Sequence, residues 1–348
     1  SEIKIPKSVN KIKYGSFFKC TKLSKVLFEK DSKLTEIGDF SFAFTNIESI
    51  SIPSKVKSIG SYCFINCKKL KTIQFESPSS LSYLGIECFK GTLIEQFQLP
   101  QAELADCDFS FSKAKVVSIP NSKSLEFILN FQNSPIKELT IPASVRKICH
   151  HAFIDCPNLT TVKIMNISES CLQIIEKGAF ENCRELTEFD LPQTVNYFGE
   201  NSFMNCEKCK QSIKVTDDAC ITVMSCAFLN SGLTSFLSKS RKIIIEKSAF
   251  QDCKNFTQFS AHSSHFCKLG KNAFLNCTAL NVAKLSLKTT KVYIYEGCFM
   301  NSAIKSFDVP HKLNSIPTCC FKDCKEMTAV TIHENSILKE ICEEAFHS

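Results

Sequence analysis

The stretch AFIDCPNLTTVKI, Ala152–Ile164, decides the fold by its spacing. A small residue precedes Phe153, Cys156 follows three positions later, and Leu159 comes three after that. Val162 and Ile164 then alternate with polar residues. The string returns as AFENCRELTEFDL at Ala179–Leu191 and as CFINCKKLKTIQF at Cys63–Phe75. With the phenylalanine as anchor, the series runs Phe17, Phe42, Phe64, Phe89, Phe109, Phe131, Phe153, Phe180, Phe203, Phe228, Phe250, Phe274, Phe299, Phe321 and Phe346. These 15 anchors are half of the chain's 30 Phe and lie 20–27 residues apart. A period in the twenties with apolar marks at fixed offsets means a stack of like turns, each buried by its neighbours.

The turns take two forms. The long form has Cys three positions after the anchor, at Cys20, Cys67, Cys156, Cys183, Cys206, Cys253, Cys277 and Cys324. The short form has Thr or Ser there, at Thr45, Thr92, Ser112, Ser134, Ser231 and Ser302. The next anchor comes 23–27 residues after a long form and 20–22 after a short one. Each turn carries two strand-like pieces. The first alternates apolar and polar residues and often ends in Pro, as in SISIP at 49–53; alternation gives a strand with one buried face, and Pro ends the ladder. The second is a shorter V-x-x-I piece, at Val56–Ile59, Val145–Ile148 and Leu313–Ile316, expected to point inward from an opposite wall. The anchor is expected on a tight, one-turn helical or irregular segment between the walls.

The string I-G-x-x-[AC]-F-x-x-C-x-x-L-x-x-[VI]-x-[IF], with V-x-I-P-x-x-V-x-x-I, resembles the BspA-like leucine-rich repeat. Ile59–Phe75, Ile141–Ile164 and Ile316–Ile332 carry it here. The resemblance implies a leucine-rich-repeat solenoid, a right-handed β/α superhelix that is mostly β, with a parallel concave sheet. It also implies a microbial surface protein used in adhesion, with host matrix or cell-surface proteins as ligands. Some turns depart from the pattern. Around Phe109 and Phe131 the Ala slot holds Asp108 and Asn130. After Phe203 the Leu slot holds Cys209, and the next strand slips by a residue.

A chain of 348 residues ordinarily divides into two or three domains. The unbroken register overrides that prior and predicts one solenoid over 1–348. The chain opens inside a strand and closes just past an anchor, so we expect a piece of a longer chain, with any leader or anchor outside it. Localisation at the cell surface or by secretion follows from the resemblance; the alternatives are a cytoplasmic protein-interaction scaffold, or a recognition module attached to a catalytic domain outside this sequence. No run of about 18 apolar residues exists, so no membrane-spanning segment is expected. The net charge of +7 reads as lysines spread over exposed turns.

Outward positions of the first strands form the candidate binding face: Ser49, Ser51, Thr72, Gln74, Gln96, Gln98, Ser118, Glu138, Thr140, Thr161, Lys163, Glu188 and Asp190. The face is rich in hydroxyls and amides, poor in charge and free of aromatics. It suits a protein or a glycan. Nucleic-acid binding calls for Lys and Arg interleaved with aromatics, so no nucleic acid is expected on it.

The 21 cysteines invite other chemistry. Cys63, Cys88, Cys298 and Cys320 alternate with Ala in the slot before the anchor, and Cys220 falls where another turn has Val145. A slot shared by Cys, Ala, Val, Ser and Thr wants a small buried group, and free Cys is a compact hydrophobe. The tolerated hydroxyl predicts a nearby carbonyl acceptor. An odd count leaves one thiol unpaired in any disulfide scheme. Cys206-x-x-Cys209 has knuckle spacing and His262-x-x-His265-x-Cys267 is looser, but both fall on repeat positions and no metal or other cofactor is expected. None of the seven His lies in a nucleophile–base or metalloprotease motif, so no enzyme is expected.

Overall fold

The structure, a computed structural model, describes residues 1–100, 106–107, 113–120, 125–128, 131–215 and 220–348. The anchor Phe109 and the slot residues Asp108, Ser112 and Asn130 lie outside them. The chain forms two compact units, Ser1–Leu172 and Gln173–Ser348. Both are parallel β-solenoids with two walls of strands.

In the first unit one wall holds the Pro-ended strands. Gln96–Gln98, Val116–Ser118, Glu138–Ile141 and Thr161–Ile164 pair in parallel register, as do Ser49–Ile52 with Thr72–Phe75 and Glu2–Ile5 with Lys25–Phe28. The opposite wall is made of two-residue strands such as Ser58–Ile59, Tyr83–Leu84 and Lys147–Ile148. In the second unit Ser212–Val215, Ser235–Ser238, Gln258–Ala261 and Val282–Leu285 form the first wall. Its second wall lengthens to four residues at Cys220–Val223, Lys242–Ile245, Phe266–Leu269 and Lys291–Ile294.

The anchors stack into a spine. In the first unit Phe17, Phe42, Phe64 and Phe89 follow one another at 5.0, 5.4 and 5.5 Å with planes 6–7° apart. Phe131 and Phe153 continue at 4.9 Å. In the second unit Phe180, Phe203, Phe228, Phe250, Phe274, Phe299, Phe321 and Phe346 stack at 5.0–5.5 Å. The spacing follows from strand pairing at ~4.7–4.9 Å, which forces equivalent rings into register. Most of the rings are fully buried; Phe346, on the last rung, is 37% exposed. The inner positions Val56, Ile59, Val145, Ile148, Leu313 and Ile316 are buried as expected.

The anchor segments are turns, not helices. The single helix among the described residues is the short 3-10 turn Ile167–Glu169. Around Phe153, Ile154 N–H donates to His151 O and Cys156 N–H to Phe153 O, three residues back each time. Left-handed residues two positions before and after the ring, His151 (φ 55°) and Asp155 (φ 56°), reverse the chain on either side. The later position is mostly Asn, Asp or Gly, as at Asn66, Gly91, Asn182, Asn205, Asn230, Asp252, Asn276 and Asn301, because short polar residues and glycine tolerate this region. The asparagines form a ladder: Asn205 Nδ2 donates to Asn182 Oδ1 at 2.8 Å, and Asn230 Nδ2 to Asn205 Oδ1 at 3.0 Å. Asn301, Asn276 and Asp252 continue it at 2.9 Å. The glycine of the I-G pair has a separate reason. A side chain on Gly85 or Gly199 would run into the backbone of Ser61 or Lys177 on the rung beside it.

Candidate functional site

The parallel register sets the candidate residues of the first unit in two rows. One row runs Gln96, Val116, Glu138, Thr161, with Ser49 opposite Thr72. The other runs Gln98, Ser118, Thr140, Lys163, with Ser51 opposite Gln74. All project from the wall's outer side, since Ile50, Phe97, Val117, Leu139 and Val162 between them are buried. Thr140 and Thr161 are half-buried; the others are exposed. Glu188 and Asp190 belong to the second unit and are exposed there.

Two grooves gather part of this set. One of about 830 Å³ is lined by Ser51, Gln74, Gln98 and Ser118, with Phe75, Glu76, Pro100, Pro120 and Met165 among its other walls. A second of about 340 Å³ brings Ser49, Ser51, Thr72 and Gln74 beside Lys25 and Leu27. Gln96, Glu138, Thr140, Thr161 and Lys163 line neither groove. Glu76, Phe75 and Met165 are additions that strand alternation does not reveal. The signal for Glu76 was its place directly after the strand Thr72–Phe75. Among the described residues the only charged side chain on the larger groove is Glu76, whose carboxylate accepts the Ser54 N–H at 3.1 Å. Recognition there would rest on hydrogen bonds from hydroxyls and amides over an apolar floor.

The second unit's first wall carries rows of its own. Ser212 stands opposite Ser235, Gln258 and Val282, and Lys214 opposite Leu237, Ser260 and Lys284. The hydroxyls of Ser212 and Ser235 are 2.5 Å apart. The slip after Cys209 hid Ser212 and Lys214 from the sequence pattern: this strand begins nine residues after its anchor, whereas Thr161–Ile164 begins eight after Phe153.

The cysteine ladder is wall. Cys67 Sγ donates to Phe42 O at 3.0 Å, Cys156 to Phe131 O at 2.9 Å, Cys253 to Phe228 O at 2.9 Å and Cys277 to Phe250 O at 3.0 Å. Each thiol thus reaches the anchor carbonyl of the preceding rung. The short-form hydroxyl turns to its own anchor instead: Thr45 Oγ1 donates to Phe42 O at 2.8 Å and Thr92 Oγ1 to Phe89 O at 2.7 Å. The carbonyl acceptor inferred from the Cys/Thr exchange is therefore present. Burial pushes the Cys156 thiol up to about 12 and Cys67 to about 11, so neither is a nucleophile at neutral pH.

Two cysteines differ from expectation. Cys20 is exposed. Cys220 is half-exposed and does not fill the inner Val slot. Its strand is four residues long, so Ile221 and Val223 face inward and Cys220 and Thr222 outward. The twenty described cysteines are free thiols. Cys206 and Cys209 are buried in their packing slots, and Cys267 points inward while His262 and His265 are exposed. Among the described residues no three His, Cys, Asp or Glu side chains gather as a metal site.

A family model for the BspA type leucine rich repeat region matches residues 1–115, 129–257 and 243–348, in six copies. No curated protein shows a significant match to the chain. Among solved structures, a leucine-rich repeat protein from Bacteroides ovatus is 22% identical, with a TM-score of 0.62 over 98% of this chain and 82% of its own. The likeness shows the fold. The pneumococcal vaccine antigen PcpA is 16% identical with a TM-score of 0.42, covering 99% of this chain and 79% of its own. A leucine rich cell surface protein from Faecalibacterium prausnitzii is 20% identical with a TM-score of 0.32, covering 82% and 79%. No helix among the described residues is long and apolar enough to cross a membrane.

Proposed function

The chain belongs to the BspA type leucine-rich-repeat family, and from that premise we propose that it is a non-catalytic adhesion module whose first-wall face binds a protein partner at a cell surface. The groove lined by Ser51, Gln74, Gln98 and Ser118 carries this reading. Its walls offer donors and acceptors without dense charge, as protein recognition through hydrogen bonds requires. The repeated wall supports an extended contact, because repeat stacks use long continuous surfaces.

The test is adhesion of beads coated with the chain to immobilised matrix proteins and to cell monolayers. Replacing Gln96 and Gln98 together by Lys places two charges in mid-face without touching the core. The double variant should keep its melting temperature and lose adhesion by about tenfold or more. Adhesion that survives would remove this face from consideration. An intracellular protein-interaction scaffold is the second reading, favoured by the twenty free thiols. Thiol blocking of protein taken directly from its source cell separates the two: disulfide-linked Cys20 or Cys171, the two exposed thiols among the described residues, would speak against a reducing compartment.

A further inference from the structure

The turn edge of the first unit departs from the rest of the repeat. At the left-handed position after the anchor, where other turns hold Asn, Asp or Gly, this region has Lys19 (φ 58°) and Phe44 (φ 59°). At the left-handed position before the anchor it has Phe40 (φ 54°) and Tyr62 (φ 58°). A bulky side chain in this region is disfavoured by roughly 1–2 kcal/mol. The fold gains little burial in return: Tyr14 is 74% exposed, Phe18 42% and Phe44 38%.

The rings form one cluster across three turns. Phe40 stacks on Tyr62 at 4.8 Å and meets Tyr14 at 5.8 Å and Phe18 at 6.2 Å. Phe18 meets Phe44 edge to face at 5.8 Å, and Lys19 Nζ lies 5.2 Å over the Phe18 ring. Phe40 and Tyr62 are stacked, the other contacts are tilted or edge to face, and Lys19 covers one face of Phe18. The edge therefore presents partly exposed phenylalanine rings and a largely exposed tyrosine.

Charge distinguishes this edge further. The first 33 residues hold nine Lys against three acidic residues, with Lys4, Lys11 and Lys25 of the strands paired to Glu29, Glu36 and Glu2. On the edge itself Lys13 and Lys19 are exposed. Of the acids there, Glu87 is paired with Lys90 at 2.6 Å, and Asp39, exposed, accepts the Ser61 N–H at 2.8 Å. Partly exposed rings with ammonium groups beside them match the interface of an anionic bilayer, where rings settle at headgroup level and lysines meet lipid charge. Neither needs a shaped cavity.

We propose that this aromatic turn edge is a peripheral membrane-contact surface, with Tyr14, Phe18 and Phe44 entering the headgroup region of an anionic bilayer and Lys13 and Lys19 meeting its charged headgroups. It is a contact and not a span, and it is distinct from the first-wall face. The test is co-sedimentation of the whole chain with phosphatidylcholine vesicles, plain or carrying about one third phosphatidylserine. The natural chain should partition onto the anionic vesicles more strongly. Phe18→Ser with Phe44→Asn should weaken that partition about a hundredfold, near tenfold per ring. Lys13→Gln with Lys19→Gln should weaken it about tenfold or more on anionic vesicles and little on neutral ones.

Phe44→Asn also separates membrane contact from folding, since it restores the residue type that this slot holds elsewhere. Its melting temperature should equal or exceed that of the natural chain while partition falls. A lower melting temperature would assign the ring to the fold and overturn the proposal. So would a natural chain that ignores both vesicles, or ring variants that bind as well as the parent. Equal partition onto both vesicle types would overturn the role of the lysines.

Discussion

The rung of Phe153 and the rung of Phe203 share one plan and differ by one side chain and one residue of spacing. In the first, Leu159 fills the slot six positions after the ring and is fully buried. In the second, Cys209 takes that slot, and tight turns from Lys210 N–H to Lys208 O and from Gln211 N–H to Cys209 O absorb an extra residue. A void of about 10 Å³, walled by Phe189, Phe203, Cys209, Phe228 and Leu233 among others, remains where a longer side chain would reach. Yet Phe203 still stacks on Phe180 at 5.0 Å and on Phe228 at 5.2 Å. The spine holds the register, while the wall residue sets only local density. The two kinds of position should therefore respond very differently to change.

What the two rungs share is a buried thiol, and that gives the largest expected effect. Cys156, Cys209 and Cys267 are pushed up to about 12 and Cys253 to about 11, in each case chiefly by burial, from an ordinary value of 9.0. The folded chain keeps these protons after the unfolded chain has lost them. Stability is thus unaffected by these groups below pH 9 and falls as pH rises from 9 toward 11–12. Each such thiol should contribute about 1.4 kcal/mol of loss per pH unit in that window. Denaturant midpoints at pH 8 and pH 10 check this; equal midpoints would mean the thiols are not enclosed.

Removing a spine ring comes next. Phe153→Ala leaves a hole beside Phe131, 4.9 Å away, and should cost ~3–5 kcal/mol in chemical denaturation. An unchanged midpoint would break the distinction between spine and wall. Leu159→Cys then copies the second rung's choice into the first. It should cost about 2 kcal/mol, less than the ring, because part of the volume is kept. If it costs as much as Phe153→Ala, the wall is no more forgiving than the spine.

Most of this architecture could be read from side-chain spacing, since the period, the two walls and the inward Val, Leu and Ile positions follow from which residues are apolar. The Cys/Thr/Ser exchange even indicated the carbonyl that Cys156 reaches on Phe131. Three features were not legible, each for a physical reason. The Asn182–Asn205–Asn230 ladder depends on backbone dihedrals, which apolar periodicity does not register, although the recurrence of Asn and Asp two places after the ring was in plain view. The outward turn of Cys220 depends on its strand lengthening from two residues to four, a choice made by pairing with Lys242–Ile245. On the binding face, alternation identified Ser51, Gln74, Gln98 and Ser118, but the groove that gathers them also uses Glu76 and Met165 from beyond the strand pattern.

The smallest expected effect runs in the opposite direction. Cys209→Leu restores the repeat's usual residue beside the void, whose walls are almost wholly apolar. The added carbons would meet Phe203, Phe228 and Leu233, and should raise stability by about 0.5–1 kcal/mol. The gain is limited because the slipped residue between Cys209 and Ser212 still fixes where the backbone enters the strand. Deleting Gln211 along with Cys209→Leu would set the strand eight residues after its anchor, as it is after Phe153. If the double change gains more than the single one, spacing and side-chain volume are coupled and the rung of Phe203 is a strained copy of its neighbours. If the deletion cancels the gain, the longer spacing is itself the better fit to this part of the wall, and Cys209 is the residue matched to it.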